Sequence, residues 1–422
     1  MKAVIIGASS EALHTIKEAR DSGLYVTALD GNPAAEGLQA ADQGLVVDIS
    51  DERAVIEAVR EEGADFVLTV PIGRYLTTIG AVNDALSLPG ISREMAAACT
   101  DKYRFHLRLK ERNLRVCHCY AVGGIDGERP DEIRKKLADG SLEIAYPVIL
   151  KPRFGSGSRG IRMLESEGEM DAELRVLQEE WVRNRERQRS EQGQDACEQR
   201  RKAQGEAEYV LEECVPGEEY GVDGAVIEGH FHMVLLRKKV NTPPPARQAV
   251  GYFSVMPEDG FWQQAWEYMN AVVSCLGLDG CLLHADLIRS TEGPFVIELS
   301  ARPSGHNLHN LFTPLCTGID MAREYINYRM GKAWSFTPKV TRQAMIHYFD
   351  LQGRVVSVPT KEQVRQKEPA LIGWECHVRA GEELGPVSDG HSLMGRGYFI
   401  LEGREEELRV KADRVKALFQ LA

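Results

Sequence analysis

The sequence predicts an α/β protein, with a doubly wound parallel sheet at the N-terminus and a larger strand-rich region after it. Three observations carry this expectation. Short apolar runs alternate with helically spaced segments over residues 2–90, and such alternation builds parallel sheets. From about residue 115 the rhythm becomes that of closely spaced strands. Between two of those strands lies KPRFGSGSRG, residues 151–160, a glycine-rich loop that adds nothing to a core.

Taken in order, residues 2–7 form a first strand. Leu13, Ile16 and Ala19 share one face of a helix over 10–22. Strands follow at 25–30 and 44–47, a helix at 52–62 and a fourth strand at 65–70. One helix is expected over 92–113, and the alternation stops there. Strands are expected at 116–122, 147–151 and 160–164. Residues 165–208 are densely charged and lack an apolar stripe over most of their length. They predict a solvated helical hairpin or inserted arm, with a lid or partner-binding element as the alternative. Strands return between 209 and 300, broken by a helix at 262–276. A helix at about 306–330 follows, then strands near 343–349, 371–378 and 396–401, and an amphipathic helix at 404–421.

The 422 residues carry a net charge of −12. That argues against broad binding of nucleic acid or anionic membrane, both of which need basic surface. The opening MKAVIIGASS reads as a strand and not a leader peptide. No apolar window is long enough for a membrane span. The nine cysteines are scattered with no CxxC pair, the pattern of reduced cytoplasmic thiols.

Three segments point to chemistry. The loop 151–160 offers glycine backbone N–H groups for an anion, hydroxyls from Ser156 and Ser158, and charge from Lys151 and Arg153. It lies between strands and lacks the Walker pattern, so it reads as a flap over phosphates; a plain hairpin loop is the alternative. In YVLEECVPGEEYGVD, residues 209–223, Glu212 and Glu219 flank a turn. A carboxylate there suits ribose hydroxyls, and a strand end suits a purine edge; solvated acids on a surface turn are the alternative. In HADLIRSTEGPFVIELSARPSG, residues 284–305, a tight turn brings Asp286 and Glu298 face to face on adjacent strands. Such a pair repels unless a cation sits between, and hard oxygen donors suit Mg²⁺. Ser300 shares that strand face, and Arg302 lies two further on. A first-loop GASSEAL lacks the G-x-G-x-x-G of dinucleotide folds.

With TDK at 100–102, VILKPRFGSGSRGI, VLEECVPGEEYGVD, LLHADLI and VIELSARPSGH in this order, the chain resembles the ATP-grasp superfamily, in its carboxylate–amine ligase and biotin-carboxylase-like branch. The resemblance implies three domains: 1–90, doubly wound; 91–335, an ATP-grasp fold with a small lid at 115–208 that includes the charged insertion 165–208; and 336–422, a β-rich region packed on the grasp. It implies that Lys102 and Lys151 contact ATP phosphates, that Gly155, Ser156, Gly157 and Ser158 close over them, that Glu212, Glu213 and Val215 line the adenine, and that Glu219 holds the ribose. Asp286 and Glu298 would hold one or two Mg²⁺ ions, with Mn²⁺ as a substitute. Ser300 stands where the family usually has asparagine, a weaker ligand on a shorter side chain. Arg302 would stabilise the transferring phosphoryl group, with Lys239 on the substrate or phosphate side. Arg247, His306 and His309 are the candidates for substrate contact. The implied reaction joins a small-molecule carboxylate to an amine through an acyl-phosphate, releasing ADP, in a cytoplasmic enzyme that forms homodimers. Bicarbonate-dependent carboxylation, purine-type ligation and an idle nucleotide-binding protein are the alternatives.

Overall fold

In the computed structural model, which describes residues 1–73, 75–123, 127–155, 160–190, 209–243, 248–387 and 390–422, the first four strands pair in parallel. Strand β1 (Lys2–Ile6) lies between β2 (Tyr25–Asp30) and β4 (Phe66–Leu68), with β3 (Gln43–Val46) outside β2. Beyond its first residue β1 is entirely buried, as a parallel strand covered on both faces must be.

A second, antiparallel sheet has the order β5-β8-β6-β7, from β5 (Cys119–Val122), β6 (Val148–Pro152), β7 (Arg162–Leu164) and β8 (Tyr209–Glu213). The glycine loop joins β6 to β7. Helices Pro130–Ala138 and Glu167–Ser190 cover this sheet. Ile133, Met170, Leu174 and Leu177 meet Val148, Leu150 and Leu211 in a core of their own. The charged segment therefore begins as a helix with an apolar stripe at Met170, Leu174 and Leu177; residues 191–208 lie outside the described part.

The largest sheet has eight strands in the order β13-β12-β9-β10-β11-β14-β18-β16. They are β9 (Glu218–Ile227), β10 (His230–Asn241), β11 (Ala249–Val255), β12 (Cys281–Ser290), β13 (Gly293–Ser300), β14 (Ala344–Tyr348), β16 (Leu371–Cys376) and β18 (Gly397–Glu402), all paired antiparallel. The short strands β15 (Gly353–Ser357), β17 (Glu383–Leu384) and β19 (Gln420–Leu421) form a separate three-stranded sheet. One apolar cluster runs from Ile5 through Phe105 and Val222 to Ile326. It welds the N-terminal sheet to the large one, and each fully buried side chain of this size contributes roughly 1.5–3 kcal/mol. Among the described residues no helix is long and apolar enough to cross a membrane.

Several elements differ from expectation for visible reasons. The single helix expected over 92–113 is two, Arg93–Thr100 and Lys102–Glu111. Asp101 stands between them in extended conformation, and its carboxylate accepts from the N–H groups of Tyr103 and Arg104. The helix expected over 306–330 breaks at Gly318, whose φ is +70°, and restarts at Met321 under an Asp320 cap. The C-terminal helix stops at Lys416, which leaves β19 to pair with β15. Strands β14, β16 and β18 do not pack on the large sheet as a separate layer; they extend it through backbone pairing with β11.

Asp101 does a second job. It receives both Nε and Nη2 of Arg153 at 2.7 Å, and both side chains are buried. Replacing Asp101 with alanine breaks this buried ion pair and removes a helix cap. The expected loss in urea denaturation is about 3–5 kcal/mol, the range for breaking one half of a buried pair.

Candidate active site

Directly opposed residues of antiparallel strands share a face, and this places a row of ionisable groups on one side of the large sheet. Asp286 on β12 lies opposite Glu298 on β13 and Gly221 on β9. His284 lies opposite Ser300 and Asp223. Gly221 in turn faces Arg237 on β10, and Lys239 faces Tyr252 on β11. A side chain on Gly221 would place its first carbon 3.3 Å from the Arg237 guanidinium carbon, so glycine there makes room for the arginine.

The charges on this face are paired. Lys239 Nζ is 2.7 Å from Asp286 Oδ2. Burial opposes the charge on each, yet their attraction wins, lifting Lys239 above and holding Asp286 below its ordinary range. Arg237 Nη2 is 2.8 Å from Asp223 Oδ2, with neither side chain exposed, and the Tyr252 ring lies under the guanidinium at 5.1 Å. His284 bridges the two acids, with Nδ1 at 3.3 Å from Asp223 and Nε2 at 3.6 Å from Asp286. Arg302, just past β13, donates from Nη1 to the Pro303 carbonyl at 2.7 Å, while its buried Nε has no hydrogen-bond partner. Burial lowers its affinity for a proton, and Glu298, Glu11, Asp286 and Asp223 restore the charge.

The smaller sheet brings Lys151 within electrostatic reach of Glu298. Lys151 Nζ meets Glu212 Oε2 at 2.7 Å, and His106 Nε2 meets Glu212 Oε1 at 3.1 Å, all three side chains being buried. Burial alone would raise the Glu212 carboxyl; Lys151 and His106 bring it down to about 2. Lys102 donates to the Gly155 carbonyl at 3.0 Å, pinning the start of the glycine loop, where Gly155 has φ +129°. Arg153 is held by Asp101 and lies over the rings of Tyr103 and Phe154. The TDK triplet thus clamps the base of the loop with two of its three side chains.

The candidates divide. Asp286, Glu298, Ser300, Lys239 and Arg302 gather on or beside one sheet face, and Glu219 lies within electrostatic reach of Lys239. Lys102, Lys151, Gly155, Glu212 and Glu213 lie on or beside the smaller sheet. Glu212 differs from an acid lining an open purine edge, since its carboxylate turns inward. Glu213 accepts from the His118 N–H at 3.2 Å, and Val215 packs with Cys117, Ile288 and Phe295. His309 is not open to a substrate: its ring is fully buried, burial brings its pKa down to about 4, and Nδ1 donates to the Ser304 carbonyl. The His306 N–H is taken by the Glu11 carboxylate, at 2.9 Å to its nearer oxygen. Ser156, Gly157, Ser158 and Arg247 lie outside the described residues. Sequence reasoning missed Asp223 and Arg237, although stepping two residues from Glu219 through Gly221, and two back from Lys239, reaches both. It also missed His106 and Glu11, for which no pattern in the sequence gave a signal.

A family model described as ATP-grasp domain matches residues 144–309. The formate-dependent phosphoribosylglycinamide formyltransferase of Prochlorococcus marinus is 26% identical over 161 residues, 38% of this chain and 39% of that one. The matched stretch therefore spans well under half of that relative. Dapdiamide A synthase of Enterobacter agglomerans is 22% identical over 315 residues, 72% of this chain and 67% of that one. The crystal structure of an L-amino acid ligase from Bacillus licheniformis covers 100% of this chain and 98% of its own, with a TM-score of 0.75 at 18% identity. That likeness carries the fold.

The Glu212 carboxyl, held at about 2 against an ordinary 4.5, has a depressed folded-state pKa. Its contribution to stability is therefore complete above pH 4.5 and lost as pH falls toward 2, on the order of 3 kcal/mol. Denaturation of the chain and of Glu212→Gln across that window should show curves that differ most above pH 4.5 and converge in acid.

Proposed function

We propose that this ATP-grasp chain is an ATP- and Mg²⁺-dependent carboxylate–amine ligase, joining small amino-acid-like substrates through an acyl-phosphate with release of ADP. The observation that carries the reading is the direct opposition of Asp286 and Glu298 on neighbouring strands, beside the cations Lys239 and Arg302. The nucleotide lies between the large sheet and the lid of residues 115–208, with its phosphates toward Lys102, Lys151 and the glycine loop, its base toward Glu212, Glu213 and Val215, and its ribose toward Glu219.

The donors fit magnesium. They are carboxylate oxygens on rigid strands, and Asp286 Oδ1 is buried without a hydrogen-bond partner. Asp286 and Glu298, with Ser300 beside them, would hold one or two ions, and Mn²⁺ would serve as a substitute. Such an ion supplies Lewis-acid neutralisation of phosphate charge.

The reaction then asks little covalent chemistry of the protein. A substrate carboxylate oxygen attacks the γ-phosphorus and ADP leaves; an amine then attacks the acyl carbon and phosphate leaves. Arg302, with an unpartnered Nε, is placed to meet the transferring phosphoryl group. Lys239 neutralises Asp286 until the nucleotide complex forms, then is free to meet phosphate or substrate. Arg247 and His306 are the proposed substrate contacts. The alkaline shift of Lys239 keeps it cationic throughout neutral pH. A cytoplasmic homodimer acting on small molecules, without nucleic acid, completes the reading.

ADP release in the presence of Mg²⁺, ATP and paired amino acids tests it. Turnover should require both a carboxylate and an amine, and should stop when EDTA removes the metal. Arg302→Met should lower kcat by about 10²–10³-fold, the loss typical of one transition-state donor, with a smaller change in KM for ATP. Stimulation by bicarbonate with no amine present would replace ligation by carboxylation, and nucleotide binding with no turnover against any pair would overturn the enzymatic reading.

A further inference from the structure

We propose that His106, Cys117, Cys119 and Glu212 form a site for a thiophilic divalent cation, of which Zn²⁺ is the best match, behind the Lys151–Glu212 ion pair. The four donors come from three elements. His106 lies on helix Lys102–Glu111, Cys119 lies on β5 directly opposite Glu212 on β8, and Cys117 precedes β5 by two residues.

Their polar atoms converge. His106 Nε2 is 3.1 Å from Glu212 Oε1, and Cys119 Sγ is 3.9 Å from the same oxygen. Cys117 Sγ is 3.8 Å from each ring nitrogen of His106. The ligand atoms of His106, Cys119 and Glu212 all lie within 4.8 Å of one another. A tetrahedral ion with Zn–S of about 2.3 Å and Zn–N of about 2.0 Å holds its ligand atoms roughly 3.3–3.8 Å apart. His106, Cys119 and Glu212 therefore need movements of about 1 Å or less, while Cys117, whose Sγ is equidistant from both ring nitrogens, must turn about its side-chain torsion to take the fourth position. Two sulfurs and an imidazole select a soft or borderline ion over Mg²⁺, so this site and the carboxylate pair Asp286–Glu298 do not compete for one metal. Packing of small buried thiols explains Cys117 and Cys119 separately, but not a carboxylate and an imidazole directed to the same point.

Binding is an exchange of protons for metal. The cation forms two Zn–S bonds, the two S–H bonds break heterolytically, and two protons leave to solvent. No electron changes hands. The proton that His106 Nε2 donates to Glu212 moves to Nδ1, which frees the Nε2 lone pair for the metal, and Glu212 gives Oε1 while Oε2 keeps Lys151. Burial and the nearby Glu212 charge keep both thiols protonated without metal. The cation draws Glu212, and with it the Lys151 ammonium, toward helix Lys102–Glu111. On the nucleotide placement proposed above, this weakens ATP binding.

Titration of chelator-treated chain with Co²⁺ alone tests the site without any nucleotide. The expected result is a thiolate-to-cobalt charge-transfer band, abolished by Zn²⁺, with two protons released per ion. Cys119→Ser and the Cys117→Ser/Cys119→Ser pair, checked for unchanged thermal melts, should lose more than about 100-fold in affinity, beyond the loss from changing a group that only orients a ligand. No thiolate band, or a band that survives in the double variant, overturns the site. In a second arm, a fluorescent ATP analogue should bind about tenfold more weakly with Zn²⁺ present, a shift of about 1.4 kcal/mol, and the double variant should be insensitive. Metal binding with unchanged analogue affinity would overturn the coupling to the nucleotide and leave the cation site standing.

Discussion

Bringing Asp223, Asp286 and Glu298 onto one partly buried sheet face is electrostatically costly, and compensation of that charge constrains everything around it. Each acid has a cation of the same chain near it: Arg237 for Asp223, Lys239 for Asp286, and Arg302 for Glu298. On the smaller sheet Lys151 does the same for Glu212. Removing water from such groups costs several kcal/mol per ion, and close paired geometry offsets it. The face is therefore held folded by its own lysine and arginines before any ligand arrives. On the proposed function, the same cations would also meet the phosphates of the nucleotide.

The glycine at position 221 shows how closely backbone and charge are fitted. Without a side chain it lets the Arg237 guanidinium lie across the strand, between Asp223 and the Tyr252 ring. Beneath the polar face the same strands send Val222, Leu283 and Ala285 into the core shared with the N-terminal sheet. Rigid apolar packing on one side is what fixes the positions of the ionised groups on the other.

Much of this was legible in the sequence, and the limits have physical causes. Period-two spacing about a three-residue turn at 291–293 opposes Asp286 to Glu298, and the structure reaches the same opposition by another route, pairing Ser290 with Gly293 and shifting register between Asp286 and Leu287. Strand and helix alternation likewise announced the parallel sheet. The split of the helix at Asp101 was harder to read. TDK lies in an otherwise helical pattern, and only the distant Arg153 explains why Asp101 leaves it. His106 was invisible for the same reason, since its partner Glu212 lies 106 residues away. The burial of His309 depends on the backbone carbonyl at Ser304, which no spacing rule encodes. Local patterns fix elements, and the partners of buried polar groups are fixed by tertiary packing.

The continuation of the large sheet into β14, β18 and β16 has a consequence for solubility. Without residues 344–402, β11 would become a bare edge, and its free N–H and C=O groups would invite a strand from another molecule. With them, the outermost strands are β16, whose register slips between Leu371 and Gly373, and β13, which carries Pro294. A slipped register and a proline both spoil the template for further pairing. The tail thus acts as a terminator, ending the ladder in strands that discourage polymerisation.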